Sequence, residues 1–391
     1  MVSYFRPVAI LLAVGVLSSA ALAAQQGSPR TIDLKAPDGT MLKASYFSAG
    51  RPGPGLLLLH ACNKDRSSWN DLAAAAAARG FHVLAMDYRG FGQSGGARGD
   101  NPQQQQWIAD REWPVDIDAA YTWLISQQGV DKTRIGAAGA SCGVNQSVEL
   151  ARRHPEVRTV VLLSGTIAAN GRQFIRGASA LPIFGAASHG DAGAVEQMRW
   201  AMGWSRNPSN KFVEYKAAGH GTEMFAAEKD LQPQVLTWFE TNLRDAPATK
   251  PTATTAAGPT VVEEFWTALN QPGGVEKAKK LYDEAKSRDK SIVLFPEQET
   301  NQLGYQLLQN GNFKDAIVVF QLNVDGYPLS ANTYDSLSDA YLAAGNKEDA
   351  LKYAQKAMEM LDKDPNAPPE FKQQVRESAE KKIKDLQGVR K

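Results

Sequence analysis

Five consecutive residues, Gly139-Ala140-Ser141-Cys142-Gly143, carry the strongest chemical signal in the chain. They follow a short stretch predicted as a strand over 134–138 and precede a helical pattern over 145–153. Gly-x-Ser-x-Gly in that setting is a nucleophile elbow. The serine occupies a sharp, strained turn, so its neighbours must be small enough for strand and helix to approach. The turn lifts the hydroxyl to the carboxyl edge of the sheet, where open α/β sheets bind ligands. It also places the Cys142 N–H at a helix start, facing a developing oxyanion. The pattern points to acyl transfer with Ser141 as nucleophile.

A serine hydroxyl needs a base, and the base needs an orienting acid. Of five histidines, His60 ends a buried strand, His82 lies within one, and His154 sits at a helix end before Pro155. Each has a structural reading at least as good as a catalytic one. His189 precedes the acid candidate. His220 lies in Ala218-Gly219-His220-Gly221, a glycine-flanked loop after the last predicted strand. Its alternative role is to cap the final helix. Asp191, in Ser188-His189-Gly190-Asp191-Ala192-Gly193, is the only carboxylate before Glu196 on the next loop. Its alternative role is to shape a glycine-rich turn, with Glu196 and Glu214 as further acid candidates.

Elements that could position these groups are visible from residue 30 to about 243. Segments 31–34 and 42–47 flank Pro37-Asp38-Gly39 and read as an antiparallel hairpin. Leu56-Leu57-Leu58-Leu59 is an unbroken apolar run, the mark of a strand buried on both faces. Helices are predicted over 69–78, 116–126, 145–153 and 233–243, and strands over 81–86, 134–138, 157–163, 181–187 and 211–215. Alternation of this kind predicts one doubly wound, mostly parallel sheet.

Together these segments resemble the α/β-hydrolase superfamily, most closely its dienelactone-hydrolase-like serine esterases. The resemblance spans about 30–243. It is carried by the elbow, by Ala36-Pro37-Asp38-Gly39, by Leu56 to Ala61, and by Asp87-Tyr88-Arg89-Gly90-Phe91-Gly92-Gln93-Ser94. The family order of nucleophile, acid, histidine implies a triad of Ser141, Asp191 and His220. Some dienelactone hydrolases use cysteine, which makes Cys142 a lesser alternative nucleophile, but the Gly-x-Ser-x-Gly register favours Ser141. Relatives reading Gly-Asp-x-Asp use the second aspartate, where this chain has Gly193; the register with one acid directly after glycine fits Asp191. The resemblance also implies oxyanion donors at Cys142 and, after the third strand, at Cys62, with Ala61 as the alternative. The family usually has His-Gly there, and Ala61 departs from it. Cys62 and Cys142 would then flank one oxyanion hole, and a disulfide between them would lock the donors; two unpaired thiols are the alternative. The insert over 165–180 is short, so no large lid is expected.

Composition changes abruptly at 244–260, where Pro, Thr and Ala without periodicity read as a linker. Beyond it, 261–391 reads as helical. Gly311 and Gly345, and likewise Ala316 and Ala350, recur 34 residues apart, which resembles two tetratricopeptide units over about 297–330 and 331–364. Two such units cannot bury a continuous face alone, so segments 262–269, 275–285 and 370–386 are expected to cap them. An unrelated helical bundle is the alternative. Units of this kind normally present a peptide-binding face, so a protein or peptide partner is expected.

Residues 1–24 have a basic start at Arg6, a short apolar run over 8–17 and Ala21-Leu22-Ala23, the order of a cleavable signal peptide. A periplasmic or secreted protein without a membrane span after cleavage is therefore expected. With 43% hydrophobic and 22% charged residues and a net charge of +1, nothing suggests nucleic acid as a partner. No cofactor or metal is implied. The function expected is hydrolysis of small carboxylic esters, with a peptidase or a non-catalytic binding scaffold as alternatives.

Overall fold

The computed structural model describes residues 29–247, 258–364 and 367–388. The segment expected to be a signal peptide, residues 1–24, and most of the expected linker lie outside them.

Eight strands form one sheet: β1 Arg30–Lys35, β2 Met41–Phe47, β3 Gly53–Leu59, β4 His82–Met86, β5 Val130–Ala140, β6 Val157–Leu163, β7 Ile183–Ser188 and β8 Lys211–Tyr215. Their order is β1-β2-β4-β3-β5-β6-β7-β8. β1 pairs antiparallel with β2, and β2 with β4. Every later pairing is parallel. The helices between strands are α1 Asn70–Ala78, α2 Pro102–Arg111, α3 Trp113–Ser126, α4 Cys142–Arg153, α5 Ala169–Gly177 and α6 Ala194–Met202. The short α7 Met224–Ala227 and α8 Leu231–Phe239 follow β8.

The four-leucine run shows how sequence specifies the layers. Leu57 and Leu59 enter one core with α3 and α4, whereas Leu56 and Leu58 enter the other with α1 and α8. All four are fully buried, each burial being worth about 1.5–3 kcal/mol. The sheet is thus covered on both faces, as the apolar run predicts.

Two strand starts and one helix differ from expectation for local reasons. β5 begins at Val130 rather than 134 because Val130 and Asp131 pair with Gly53 and Pro54 ahead of a register shift. The polar Asp131-Lys132-Thr133 hides that start from a hydrophobicity pattern. β7 begins at Ile183 because Pro182 has no N–H to offer the ladder. α2 is not foreseen: its four glutamines give no periodicity, and only Ile108 is buried. Its start is nevertheless defined by Asn101, whose side chain accepts the Gln104 N–H, and by Pro102 in the first turn.

The C-terminal part is all helix: α9 Val261–Leu269, α10 Val275–Arg288, α11 Glu297–Gln309, α12 Phe313–Gly326, α13 Ala331–Ala343, α14 Lys347–Met360 and α15 Pro369–Gly388. Both ends of α13 lie 34 residues beyond those of α11, and both ends of α14 lie 34 beyond those of α12. Each hairpin turns at a glycine in the left-handed region, Gly311 at φ +76° and Gly345 at φ +78°. Ala316 and Ala350 are fully buried where the helices touch. Trp200 of α6 sits in one cluster with Val262, Phe265 and Val275, so the helices pack directly on the sheet-bearing part. Glu263, buried in that contact, accepts a bidentate pair from Arg206 and a second ion pair from Arg176.

Candidate active site

β5 delivers Ser141 into the turn before α4. Its backbone has φ 54° and ψ −119°, an unusual conformation for a residue with a side chain. Surrounding structure holds it there: the Ser141 N–H donates to Leu163 O at 2.9 Å, and Ser141 O accepts from Val144 N at 3.0 Å. A Cβ at Gly139 would collide with Gly143 O and Ser147 Oγ, and one at Gly143 would collide with Leu59 O. Both elbow glycines are therefore required by close approach.

Asp191 follows β7 in a turn where its N–H donates to Ser188 O at 3.0 Å and its carbonyl accepts from Ala194 N at 3.0 Å, starting α6. Gly193, the other register for the acid, has φ +73° and, lacking a side chain, offers no carboxylate. His220 follows β8. Its Nδ1 donates to Asp191 Oδ2 at 2.6 Å, the carboxylate being an acceptor only. This leaves Nε2 as the acceptor. A Cβ at Gly221 would meet Ala140 Cβ at 3.2 Å and Ser141 N at 4.0 Å, so the histidine loop lies against the elbow. Among the described residues no hydrogen bond joins Ser141 Oγ to His220.

The His220 imidazolium is favoured by its Asp191 hydrogen bond; burial opposes this, and the charges of Asp191 and Glu223 reinforce it. Its pKa is raised as a result. Glu223 is held low by Lys64, with which it forms an ion pair at 2.7 Å, and by the His220 N–H. That pair links the loop after β3 to the histidine loop.

The other histidines are engaged elsewhere. His60 is fully buried; Nδ1 donates to Ala61 O at 2.7 Å and Nε2 accepts from Tyr88 N at 3.2 Å, and burial lowers its pKa. His82 bridges Tyr46 Oη and Arg51 O. His154 bonds Asp118 and stacks on Tyr121. His189 points to Glu214, which also holds Arg199, so neither His189 nor Glu214 joins the Asp191–His220 pair.

Sequence reasoning missed Ser188. This fully buried hydroxyl accepts from Ala218 N at 2.8 Å and from Gly190 N at 3.2 Å, tying the histidine loop to the aspartate loop. Its position as the last residue of a strand before the acid was the available signal. The Asp87 motif also proves to be a fastening. Its buried carboxylate accepts from Arg66 N at 2.7 Å and Gln93 N at 2.9 Å and pairs with the Arg66 guanidinium.

Cys62 and Cys142 are joined by a disulfide, with Cα atoms 5.8 Å apart. The N–H groups of Ala61, Cys62 and Cys142 donate no hydrogen bond among the described residues. Two cavities meet there. One of about 410 Å³ is lined by Cys62, Cys142, Asn145, Phe91, Arg98 and Trp113, among others. The second, about 610 Å³, shares Cys62, Phe91 and Arg98 and reaches Lys64, Thr222 and Glu223. Among the described residues no group of three or more His, Cys, Asp or Glu side chains could hold a metal ion.

Residues 51–193 match the family model described as serine aminopeptidase, S33. The sheet order, with its antiparallel second strand and the elbow at the end of β5, settles the fold. The sheet-bearing part is an α/β hydrolase by fold. An uncharacterised protein of Mycobacterium tuberculosis strain H37Rv is 34% identical over 134 residues, which is 34% of this chain and 44% of that protein. A 31.7 kDa protein of Escherichia coli from the traX-finO intergenic region is 33% identical over 82 residues, 21% of this chain and 26% of its own. The chain thus spans less than half the length of these curated relatives. Among solved structures, an esterase from Pyrococcus furiosus aligns at 15% identity and TM-score 0.44, covering 62% of this chain and 100% of its own. A dienelactone hydrolase from Anabaena variabilis aligns at 17% and 0.44, covering 56% and 100%. No helix of the hydrolase part or the helical part is long and apolar enough to cross a membrane, among the described residues.

Proposed function

We propose that this protein is an exported serine hydrolase that cleaves small carboxylic esters through an acyl-enzyme. The observation that carries the reading is the 2.6 Å hydrogen bond from His220 Nδ1 to Asp191, made by a loop that lies against the strained Ser141 turn. Ser141 Oγ attacks the acyl carbonyl and His220 Nε2 takes its proton. Asp191 fixes the ring and stabilises the imidazolium. The free N–H groups of Cys142 and Cys62 receive the oxyanion. Collapse expels the alcohol, protonated by His220, and water then repeats the sequence to release the acid. Each oxyanion donor is typically worth ~10²–10³ in rate.

The disulfide supports an oxidising compartment, and so the periplasmic or secreted location read from the N-terminal segment. The 34-residue spacing of the two helical hairpins supports the tetratricopeptide-like reading and a peptide or protein partner for that part. Peptide cleavage is the second reading, favoured by the description of the matching family model. A fluorophosphonate probe tests the central claim. Labelling of the native protein that disappears in Ser141→Ala supports a serine hydrolase, and absence of labelling in both contradicts it. Parallel assays with p-nitrophenyl acetate and with aminoacyl p-nitroanilides separate esterase from peptidase.

A further inference from the structure

We propose that the Cys62–Cys142 disulfide is the positioning element of the oxyanion hole, and that its reduction switches acyl transfer off. This rests on the serine-hydrolase reading above.

The bond joins two residues 80 apart in sequence, each with a free N–H: Cys142 at the start of α4 directly after Ser141, and Cys62 in the loop after β3. Cys142 is placed by α4 itself. The loop after β3 is anchored at its ends, by the His60 ring on Tyr88 and by Arg66 on Asp87, and between them Lys64 ties it to Glu223 rather than to the start of α4. Between those anchors Cys62 donates nothing, and its carbonyl accepts only from the exposed Arg98 guanidinium at 2.9 Å. The S–S bond is therefore the direct link that holds one donor in register with the other. An oxyanion hole works only when its donors sit about 2.7–3.1 Å from the developing charge. A loop free to move by an ångström loses that stabilisation while still admitting substrate.

The bond is also within reach of a reductant. Both cysteines are half-buried, Cys62 lines both cavities, and Cys142 lines the smaller. They are the only two cysteines in the chain, so reduction has one product and reoxidation one pairing. With dithiothreitol the step balances. One thiolate attacks a cystine sulfur to give a mixed disulfide, and the second thiol closes the cyclic disulfide. Two electrons and two protons pass from dithiothreitol to Cys62 and Cys142, which leave as thiols.

The experiment compares p-nitrophenyl acetate hydrolysis by the oxidised protein, by the protein reduced with dithiothreitol, and by the Cys62→Ser/Cys142→Ser double variant. Circular dichroism confirms which samples are folded. The proposal expects kcat of the folded, reduced protein to fall about a hundredfold, as for a lost oxyanion donor. KM should change by less than about threefold, the signature of an interaction made in the transition state. Oxidised glutathione should restore kcat, and the double variant should be slow and indifferent to dithiothreitol. A folded, reduced protein with unchanged kcat would overturn the proposal, as would a loss of activity that only tracks unfolding. An oxidised protein that hydrolyses no ester and ignores a fluorophosphonate would overturn the serine-hydrolase reading itself, and this inference with it.

Discussion

Ser188 Oγ accepts the Ala218 backbone N–H at 2.8 Å, and the same oxygen takes the Gly190 N–H at 3.2 Å. One hydroxyl thus fixes the spacing of two loops, the first carrying His220 and the second Asp191. Ser188→Ala leaves the buried Ala218 N–H without its acceptor, while the exposed Gly190 N–H can turn to water. The expected cost is about 1–3 kcal/mol in stability. Since small misplacements of catalytic groups are expensive, kcat should also fall about tenfold or more. Urea denaturation and steady-state kinetics on the variant check both; an unchanged kcat would leave Ser188 as a stabilising residue alone.

The pH profile follows from the sign of the His220 shift. As the proposed base, His220 would act only when neutral, and its pKa is raised, first by the Asp191 hydrogen bond. Activity should therefore rise with pH through a midpoint above the ordinary histidine value. Asp191→Asn removes the charge and should move that midpoint down, with kcat falling by ~10⁴ as for a triad acid. The linkage has a matching sign for stability. The raised pKa means that the pair's contribution is fully present below the unfolded value and is lost as pH rises through the folded one. Measuring kcat/KM against pH for both proteins decides the matter, and a midpoint unmoved by Asp191→Asn would count against the assignment.

Glu263 of α9 is buried between Arg206 and Arg176, joining the helical part to the α/β-hydrolase part. Burial opposes its charge, but the two arginines outweigh that and lower its pKa. Removing one partner of a buried ion pair costs about 3–5 kcal/mol. Because Arg176 is partly exposed and can return to water, Glu263→Ala should cost about 3 kcal/mol, the lower end of that range. The urea midpoint reports it, and a loss below ~1 kcal/mol would mean the pair is solvent-screened.

Gly304 of α11 faces Phe320 of α12, and a Cβ there would lie 2.5 Å from the ring's Cζ. The equivalent position in the second hairpin, 34 residues on, is the buried Ser338, whose hydroxyl donates to Ala350 O at 2.7 Å. Gly304→Ala should therefore destabilise the helices by about 1–3 kcal/mol through overpacking. Esterase kinetics should be unaffected, since the nearest atoms to that Cβ all belong to Phe320 and to no residue of the hydrolase part. Thermal unfolding combined with a kinetic assay separates the two effects.

Much of this architecture can be read from residue pattern. The four leucines of β3 declare a strand buried on both faces, and the glycines around Ser141 declare a turn that only they can make. Gly311 and Gly345 mark the hairpin turns because a left-handed residue closes each first helix. What pattern could not supply are features made by long-range contact. Ser188 is an ordinary strand serine until Ala218 is folded onto it. α2 has a polar sequence and depends on its Asn101 cap rather than on an apolar stripe. The packing of Trp200 against Val262 and Phe265 joins segments more than 60 residues apart and leaves no local trace.

The most direct measurement is hydrolysis of short-chain p-nitrophenyl esters by the native protein beside Ser141→Ala, with both shown to be folded. The account predicts turnover by the first and a loss of several orders of magnitude in the second, as for removal of a triad nucleophile. Equal activity in both, or none in either, would contradict Ser141 as the nucleophile of an esterase.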